Sequence, residues 1–140
     1  MRGRGNRVVF TNGCFDILHL GHVSYLQEAA GKGDILVVGI NSDSSVKRLK
    51  GAGRPVIGEK QRASVVAALE AVDYVVIFSG STPETVIRAL APDVLVKGGD
   101  WKIDDIVGGR FVTGNGGKVF SIKFIKGYST TSLIKRISHA

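Results

Sequence analysis

Residues 8–22 have the sequence VVFTNGCFDILHLGH, in which an apolar strand gives way to an amphipathic helix. A helix that begins directly after a strand presents free N–H groups and the positive end of its dipole, and both favour a bound phosphate. Gly21 has no side chain, so a ligand can approach the main chain closely there. His19 and His22 can point at the same phosphate. The stretch therefore predicts a nucleotide α-phosphate site that follows a strand.

Four other runs of residues in the chain are also predicted to be strands. The runs at 35–40, 74–78 and 94–96 are as apolar as residues 8–10, which is typical of strands that helices cover on both faces of a sheet. A fifth run, 119–124, has a mixed pattern and is expected nearer an edge. Helical patterns lie between these runs at 22–30, 44–50, 60–70 and 83–90. The last of them begins with Ser81-Thr82-Pro83-Glu84, which resembles an N-terminal cap with proline in the first turn.

The alternation of strands and helices predicts an α/β fold: one Rossmann-like, doubly wound domain with a five-stranded parallel sheet. Ligands of such sheets bind at the carboxyl ends of the strands near the topological switch point. The segment from Cys14 to His22, here the histidine turn, follows the first strand, which is where such a ligand site is expected. We expect the domain to span residues 7–140, after a basic flexible leader at residues 1–6.

Composition indicates a cytoplasmic protein. With 140 residues, 44% of them hydrophobic, the chain can bury a core without disulfides or metal ions. Cys14 is the only cysteine, which excludes an internal disulfide and favours a reducing compartment. No secretory signal and no apolar run long enough to span a membrane is present, so we expect no membrane partner.

The net charge of +7 raises the question of nucleic-acid binding. No pattern for a helix-turn-helix, a zinc finger or an aromatic RNA-binding sheet is present, and a basic surface also suits phosphorylated small ligands. We therefore expect no nucleic-acid partner. A non-catalytic nucleotide-sensing or nucleic-acid-binding module remains the third hypothesis after two enzymatic ones.

Other phosphate and metal motifs are excluded by position or spacing. Gly3-Arg4-Gly5 precedes the first strand, so it cannot be a dinucleotide turn, and no P-loop pattern occurs. The two histidines of the turn have no cysteine or third histidine at metal-ligand spacing. No protein metal site is predicted.

Four motifs in order resemble the cytidylyltransferase-like branch of the HxGH nucleotidylyltransferase superfamily. They are residues 12–16 followed by the HLGH sequence at 19–22, then VKGGDW at 96–101 and GYSTT at 127–131. Within that branch, residues 39–51 and 54–56 are similar to the heptose-1-phosphate adenylyltransferases of bacterial ADP-heptose synthesis. The resemblance extends from about Arg7 to about Ile137.

The resemblance implies transfer of AMP from ATP to D-glycero-D-manno-heptose 1-phosphate, which gives ADP-heptose for lipopolysaccharide and other surface polysaccharide. Pyrophosphate leaves, no covalent enzyme intermediate forms, and Mg²⁺ is carried with ATP without a dedicated set of protein ligands. His19, His22 and Lys47 would stabilise charge on the pentacoordinate phosphorus, with Lys50 as the alternative lysine. The alternative function is cytidylyl or adenylyl transfer to glycerol 3-phosphate or to another sugar or polyol phosphate.

The resemblance also implies the binding residues. Nucleotide contacts are expected at Thr11, Asn12, Gly13, Cys14, Phe15, Gly21, Lys50, Arg62, Lys97, Gly99, Asp100, Trp101, Tyr128, Ser129, Thr130 and Thr131. Sugar-phosphate contacts are expected at Asp16, Asn41, Asp43 and Lys126. A homodimer and a separate heptose kinase upstream in the pathway are the expected partners.

Several of these residues have alternative interpretations. Asp16 can instead hold its own turn, and Arg62 can reach either the phosphates or a neighbouring subunit. The lysines of the second helix can form a solvated face, although the glycines that follow favour an arm that closes over ATP. Phe124 occupies the position of an arginine in the glycerol-phosphate cytidylyltransferases, which weakens that alternative.

Overall fold

The computed structural model describes residues 6–124 and 129–139, in which strands and helices alternate. The elements are β1 (Val8–Gly13), α1 (Leu20–Ala30), β2 (Ile35–Asn41), α2 (Asp43–Lys50), α3 (Glu59–Ala67), β3 (Tyr74–Phe78), α4 (Glu84–Leu90), β4 (Val94–Gly98), a 3₁₀ turn (Ile103–Asp105), α5 (Gly109–Gly114), β5 (Lys118–Ile122) and α6 (Thr130–Ser138). None of these described helices is long and apolar enough to cross a membrane.

The five strands form one parallel sheet in the order β3-β2-β1-β4-β5, as predicted. The chain runs from β1 outward to β3, and α4 then returns it to β4 on the other side of β1. The switch point therefore lies between β1 and β4, whose carboxyl ends open the crevice in which such folds bind ligands. The predicted edge position of β5 is confirmed.

Helices cover the two faces of the sheet in pairs. Leu26 of α1 and Val66 of α3 belong to one buried cluster, whereas Ile87 of α4 and Val112 of α5 belong to the other. The central strand supplies both clusters, because Val9 faces the first and Phe10 the second. This arrangement confirms the doubly wound fold and fixes β1, with the turn that follows it, at the centre of the molecule.

The structure corrects several local predictions. β3 is apolar but not covered on both faces: Tyr74, Val76 and Ile77 are all exposed, because β3 is the edge strand opposite β5. Pro83 occupies the N-cap position of α4 and not its first turn, and no side chain caps that helix. α3 ends at Ala67, three residues earlier than predicted. The glycine-rich α5 and the 3₁₀ turn before it were not predicted.

Candidate active site

His19 and His22 cap the first turn of α1 with their own rings. Nδ1 of His19 accepts a hydrogen bond from the backbone N–H of Gly21 at 3.1 Å, and Nδ1 of His22 accepts one from the N–H of His19 at 3.3 Å. This reciprocal arrangement is a capping box in which histidines replace the usual hydroxyl and carboxylate. The rings stack with their centroids 3.9 Å apart. The backbone therefore holds both imidazoles in place at the helix N-terminus.

The same hydrogen bonds determine where the ring protons lie. Because Nδ1 is the acceptor in both rings, each neutral imidazole carries its proton on Nε2. Burial lowers the pKa of His19, and burial together with the neighbouring His19 lowers the pKa of His22 to about 4. At neutral pH the pair therefore offers two N–H donors in uncharged rings, a form that can stabilise charge developing on a phosphate.

A cavity of about 680 Å³ lies along the carboxyl ends of the strands and contains the histidine turn. Most of the predicted site residues line it: Asn12, Gly13, Cys14, Phe15, Asp16, His19, Gly21, His22, Asn41, Lys50, Lys97, Ser129, Thr130 and Thr131. Other predicted residues do not: Thr11, Asp43, Lys47, Arg62, Gly99, Asp100 and Trp101. Lys126 and Tyr128 lie outside the described residues. Its wall also includes residues that were not predicted: Tyr25, Leu49, Arg54, Ser81, Thr82, Pro83, Leu95, Val96, Gly98, Ile106, Val107 and Phe124.

The two candidate lysines of α2 differ in position. Lys50, the last residue of the helix, lines the cavity, whereas Lys47 is exposed one turn earlier and does not. Gly51 ends the helix with its N–H bonded to the Lys47 carbonyl, which leaves Lys50 at the turn beside the cavity. The geometry supports Lys50 as the phosphate-binding lysine, and the catalytic role of Lys47 stays a prediction.

Asp16 holds a neighbouring loop. The residue is 2% exposed. Its carboxylate accepts hydrogen bonds from the backbone N–H groups of Val56 and Ile57, both at 2.9 Å, and from Nε of Arg54 at 2.8 Å. Burial alone would raise the pKa of Asp16, but the Ile57, Val56 and Arg54 donors outweigh it and hold that pKa below its usual value. The structure supports the structural interpretation of Asp16, and its contact with a sugar phosphate remains a prediction.

Arg62 is also used internally, although it was predicted to contact nucleotide. The residue is 2% exposed, and its Nε donates to the Ile57 carbonyl at 2.8 Å. Nη1 donates to the carbonyls of Cys14 and Asn41, at 2.6 and 2.8 Å, and Nη2 pairs with Asp43 at 2.9 Å. A side chain buried in this way cannot extend to a neighbouring subunit. Its position instead favours a role in joining the histidine turn, the end of β2 and the loop before α3.

Thr11 lies beneath the site. It is fully buried, and its Oγ1 donates to the Val96 carbonyl at 2.9 Å and is hydrogen-bonded to the Tyr25 hydroxyl. Burial raises the pKa of Tyr25 to about 12, so the phenol stays protonated. These bonds connect β1, β4 and α1 below the histidine turn. The geometry thus favours a supporting role for Thr11 over the predicted nucleotide contact.

Aromatic rings cover the glycines at the end of β4. A Cβ on Gly98 would lie 2.7 Å from Cε1 of Phe124, and one on Gly99 would lie 2.9 Å from Nε1 of Trp101. Phe124 is 65% exposed and lines the cavity. Trp101 stands beside the cavity, with the ammonium of Lys97 5.3 Å from its ring centroid. Burial lowers the pKa of Lys97. This end of the site combines a cation with exposed aromatic surface.

The N-terminus of α6 completes the cavity wall. Ser129 is the N-cap, and its Oγ accepts from the N–H of Ser132 at 3.0 Å. Thr130 and Thr131 line the cavity beside it. Hydroxyls and N–H groups at a helix start are suited to phosphate oxygens.

Known proteins match this chain over nearly its whole length. The cytidylyltransferase-like family model matches residues 10–136. The protein named bifunctional protein HldE is 58% identical over 134 residues in Citrifermentans bemidjiense and 60% identical over 136 residues in Shewanella denitrificans. These alignments cover 96% and 97% of this chain but only 28% and 29% of the relatives.

Solved structures agree with the fold. The lipopolysaccharide core biosynthesis protein from Thermoplasma volcanium superposes with a TM-score of 0.70 at 31% identity, over 89% of this chain and all of that one. Pantothenate synthetase from Thermus thermophilus, at 12% identity and a TM-score of 0.61, covers 86% of this chain and 57% of its own, and shares the fold alone. The motifs around the histidine turn thus predicted the right relatives, and the chain belongs to the cytidylyltransferase-like family.

Proposed function

We propose that this chain is a heptose-1-phosphate adenylyltransferase, which transfers AMP from ATP to D-glycero-D-manno-heptose 1-phosphate. The products are ADP-heptose, for surface polysaccharide, and pyrophosphate. The observation that carries the proposal is the histidine capping box at the carboxyl end of β1, inside the cavity. Relatives at 53–60% identity named HldE, and a structural neighbour named for lipopolysaccharide core biosynthesis, support the choice of acceptor.

The proposed reaction is a direct displacement at the α-phosphorus of ATP. An oxygen of the sugar phosphate forms the new P–O bond while the bond to pyrophosphate breaks. His19 and His22 donate hydrogen bonds from Nε2 to the oxygens on which charge develops. The positive end of the α1 dipole acts in the same direction. Because the rings are already held by the backbone, they need no rearrangement when the charge appears.

Phosphate-binding groups stand on both sides of the histidines. Lys97 and the start of α6 lie at the ends of β4 and β5, and Lys50 lies at the end of α2, beside β2. Two cations on opposite sides suit a reaction in which both substrates carry phosphate. Neither lysine is needed as a nucleophile, since the acceptor supplies the attacking oxygen.

Mg²⁺ belongs to the proposal as an ion carried by ATP. The described residues include no group of three or more His, Cys, Asp or Glu side chains placed to bind a metal ion. Two carboxylates of the predicted site are already engaged, because Asp16 is bonded to Arg54 and Asp43 to Arg62. This donor set fits an ion held by triphosphate oxygens, where it would neutralise the charge of the leaving pyrophosphate.

The proposal includes a cytoplasmic homodimer that receives its sugar 1-phosphate from a separate heptose kinase. Sedimentation velocity tests the oligomeric state. A mass near twice that of the 14.9 kDa chain would support the dimer, and a mass near 14.9 kDa would contradict it.

Pyrophosphate release tests the activity. ATP and CTP, each with Mg²⁺, are crossed with heptose 1-phosphate, glycerol 3-phosphate and a common hexose 1-phosphate. We expect release with ATP and heptose 1-phosphate only. Release with CTP and glycerol 3-phosphate would retain the histidine mechanism but replace the substrates, and nucleotide binding without any turnover would overturn the enzymatic proposal.

A further inference from the structure

The cavity has two chemically different ends. It extends from the loop after β3 to the loop after β5, and the histidine turn lies between them because β1 is the central strand. The β3 end is formed by Ser81, Thr82 and Pro83, which the family motifs do not include. The β5 end is formed by Phe124 and the first residues of α6.

At the β3 end, two hydroxyl-bearing residues line the cavity beside apolar ones. Ser81 and Thr82 are both exposed and line the cavity. Pro83, Ile106 and Val107 continue the wall on the face of the sheet that α4 and α5 cover. Hydroxyls can both donate and accept, so this surface suits an uncharged, hydroxylated part of a ligand.

The backbone just before Ser81 and Thr82 is anchored to α2. The Oγ of Ser45, a buried residue of α2, donates to the Gly80 carbonyl at 2.9 Å, and the Arg48 guanidinium donates to the Ser79 carbonyl. A Cβ on Gly80 would lie 3.0 Å from the carbonyl oxygen of Thr82, so the turn is tighter than most side chains allow. Residues that discriminate between ligands need such fixed placement. Moreover, α2 also carries Lys50, so the hydroxyls and the phosphate-binding lysine share one support.

The geometry of phosphoryl transfer assigns a substrate to each end. The attacking and leaving oxygens lie roughly in line through the phosphorus, so the acceptor and the pyrophosphate occupy opposite sides of the histidine pair. The helix N-terminus and Lys97 at the β5 end suit the phosphates of ATP, and the exposed ring of Phe124 suits an aromatic base. The acceptor is left with the β3 end.

We propose that Ser81 and Thr82 form the acceptor subsite, where their hydroxyls bind the ring hydroxyls of the sugar 1-phosphate and determine which sugar is used. The inference rests on the proposed function and adds the residues that select the acceptor. The phosphate of the sugar would then extend past Lys50 toward the histidines.

The double variant Ser81→Ala, Thr82→Val tests the subsite in the full chain. Two lost hydrogen bonds should lower kcat/KM for heptose 1-phosphate by about tenfold or more, chiefly through KM, while KM for ATP changes less than about twofold. A merely structural effect would not alter selectivity. We therefore also measure a deoxy analogue that lacks one ring hydroxyl, and we expect the preference for the natural sugar over the analogue to shrink in the double variant.

Ser64→Ala with Thr85→Val is the matched control. Both residues are exposed and lie outside the cavity, so the control should keep every constant of the wild type. An unchanged kcat/KM for the sugar phosphate in the double variant, or a raised KM for ATP instead, would overturn the acceptor subsite while wild-type turnover leaves the proposed function standing. A wild type that releases no pyrophosphate with any acceptor would overturn both.

Discussion

Two neighbouring segments, the end of α2 with the glycines that follow it and the loop before α3, are held very differently. Residues 54–57, here the clamp loop, are bonded to Asp16 and Arg62 through side chains and backbone. Residues 47–53, here the arm, contain Gly51 and Gly53 at φ values of +91° and +86°, where an added Cβ would meet nothing within 4 Å. The clamp loop is bonded to the histidine turn through Asp16, whereas the glycines of the arm have open space around them.

The largest expected effect is the loss of stability when Arg62, the buried cation bonded to the clamp loop, is replaced. Arg62→Met leaves three carbonyls and the Asp43 carboxylate without their donor, so we expect the free energy of unfolding to fall by about 3–5 kcal/mol. Urea denaturation measures this loss. Arg88→Met is the control, because the contacts of Arg88 lie at the surface: an exposed pair with Glu84 and a cation–π contact with the Phe111 ring. Its cost should therefore stay at about 1 kcal/mol. Equal losses in both variants would contradict a clamp.

His22→Asn tests the proposed phosphate-binding role of the histidine turn. Asparagine keeps an acceptor near the Nδ1 position, so the cap of α1 is retained, but the Nε2 donor is lost. We expect kcat to fall by about 10²–10³-fold with little change in Tm. The exposed His139, substituted in the same way, should leave kcat unchanged. Parallel losses of Tm and activity in His22→Asn would show that His22 is structural.

Asp16, which accepts hydrogen bonds from the clamp loop, should make the stability of the protein depend on pH in the acidic range. The folded-state pKa of Asp16 lies below its usual value of 3.8, so its contribution is fully present above that value and is lost as pH falls through the folded-state pKa. Asp16→Asn should cost about 1–3 kcal/mol at neutral pH. It should also flatten the decline of Tm below about pH 4. A decline as steep as that of the wild type would place the titrating group elsewhere.

Substitution of a lysine in the arm should have the smallest expected effect, a change in KM without a change in stability. Lys50→Met removes a cation from the cavity wall and should raise KM for ATP or for the sugar phosphate about tenfold, with Tm unaffected. Lys47→Met, on the same helix but outside the wall, should change each KM less than about twofold. The reverse result would restore Lys47 as the catalytic lysine.

The sequence predicted the parts of the molecule that depend on local pattern. Four apolar runs and one mixed run identified the strands of the described sheet, and the HLGH sequence identified the turn before α1 that lines the cavity. Prediction was wrong where tertiary position decides, as at β3, whose apolar side chains are exposed because no further strand follows at that edge. Pattern alone also could not separate Lys47 from Lys50, since three positions on a helix decide which one reaches the cavity.

The structural role of Arg62 could not be predicted from the sequence for a different reason. Its partners come from residues 14, 41, 43 and 57, four sites that only the folded chain brings together. Ser81 and Thr82 did carry a signal, because they follow a strand at the carboxyl edge of the sheet. That signal was interpreted as a helix cap, and the structure shows no side-chain cap there.

The histidine capping box also determines when the two imidazole rings lose their rotational freedom. The groups that would bind the α-phosphate are the groups that start α1, so a chain that has folded its first helical turn has already immobilised both rings. The rotational entropy of those rings is therefore lost once, during folding, and not again in each catalytic cycle. Substrate binding then does not have to order the two rings again.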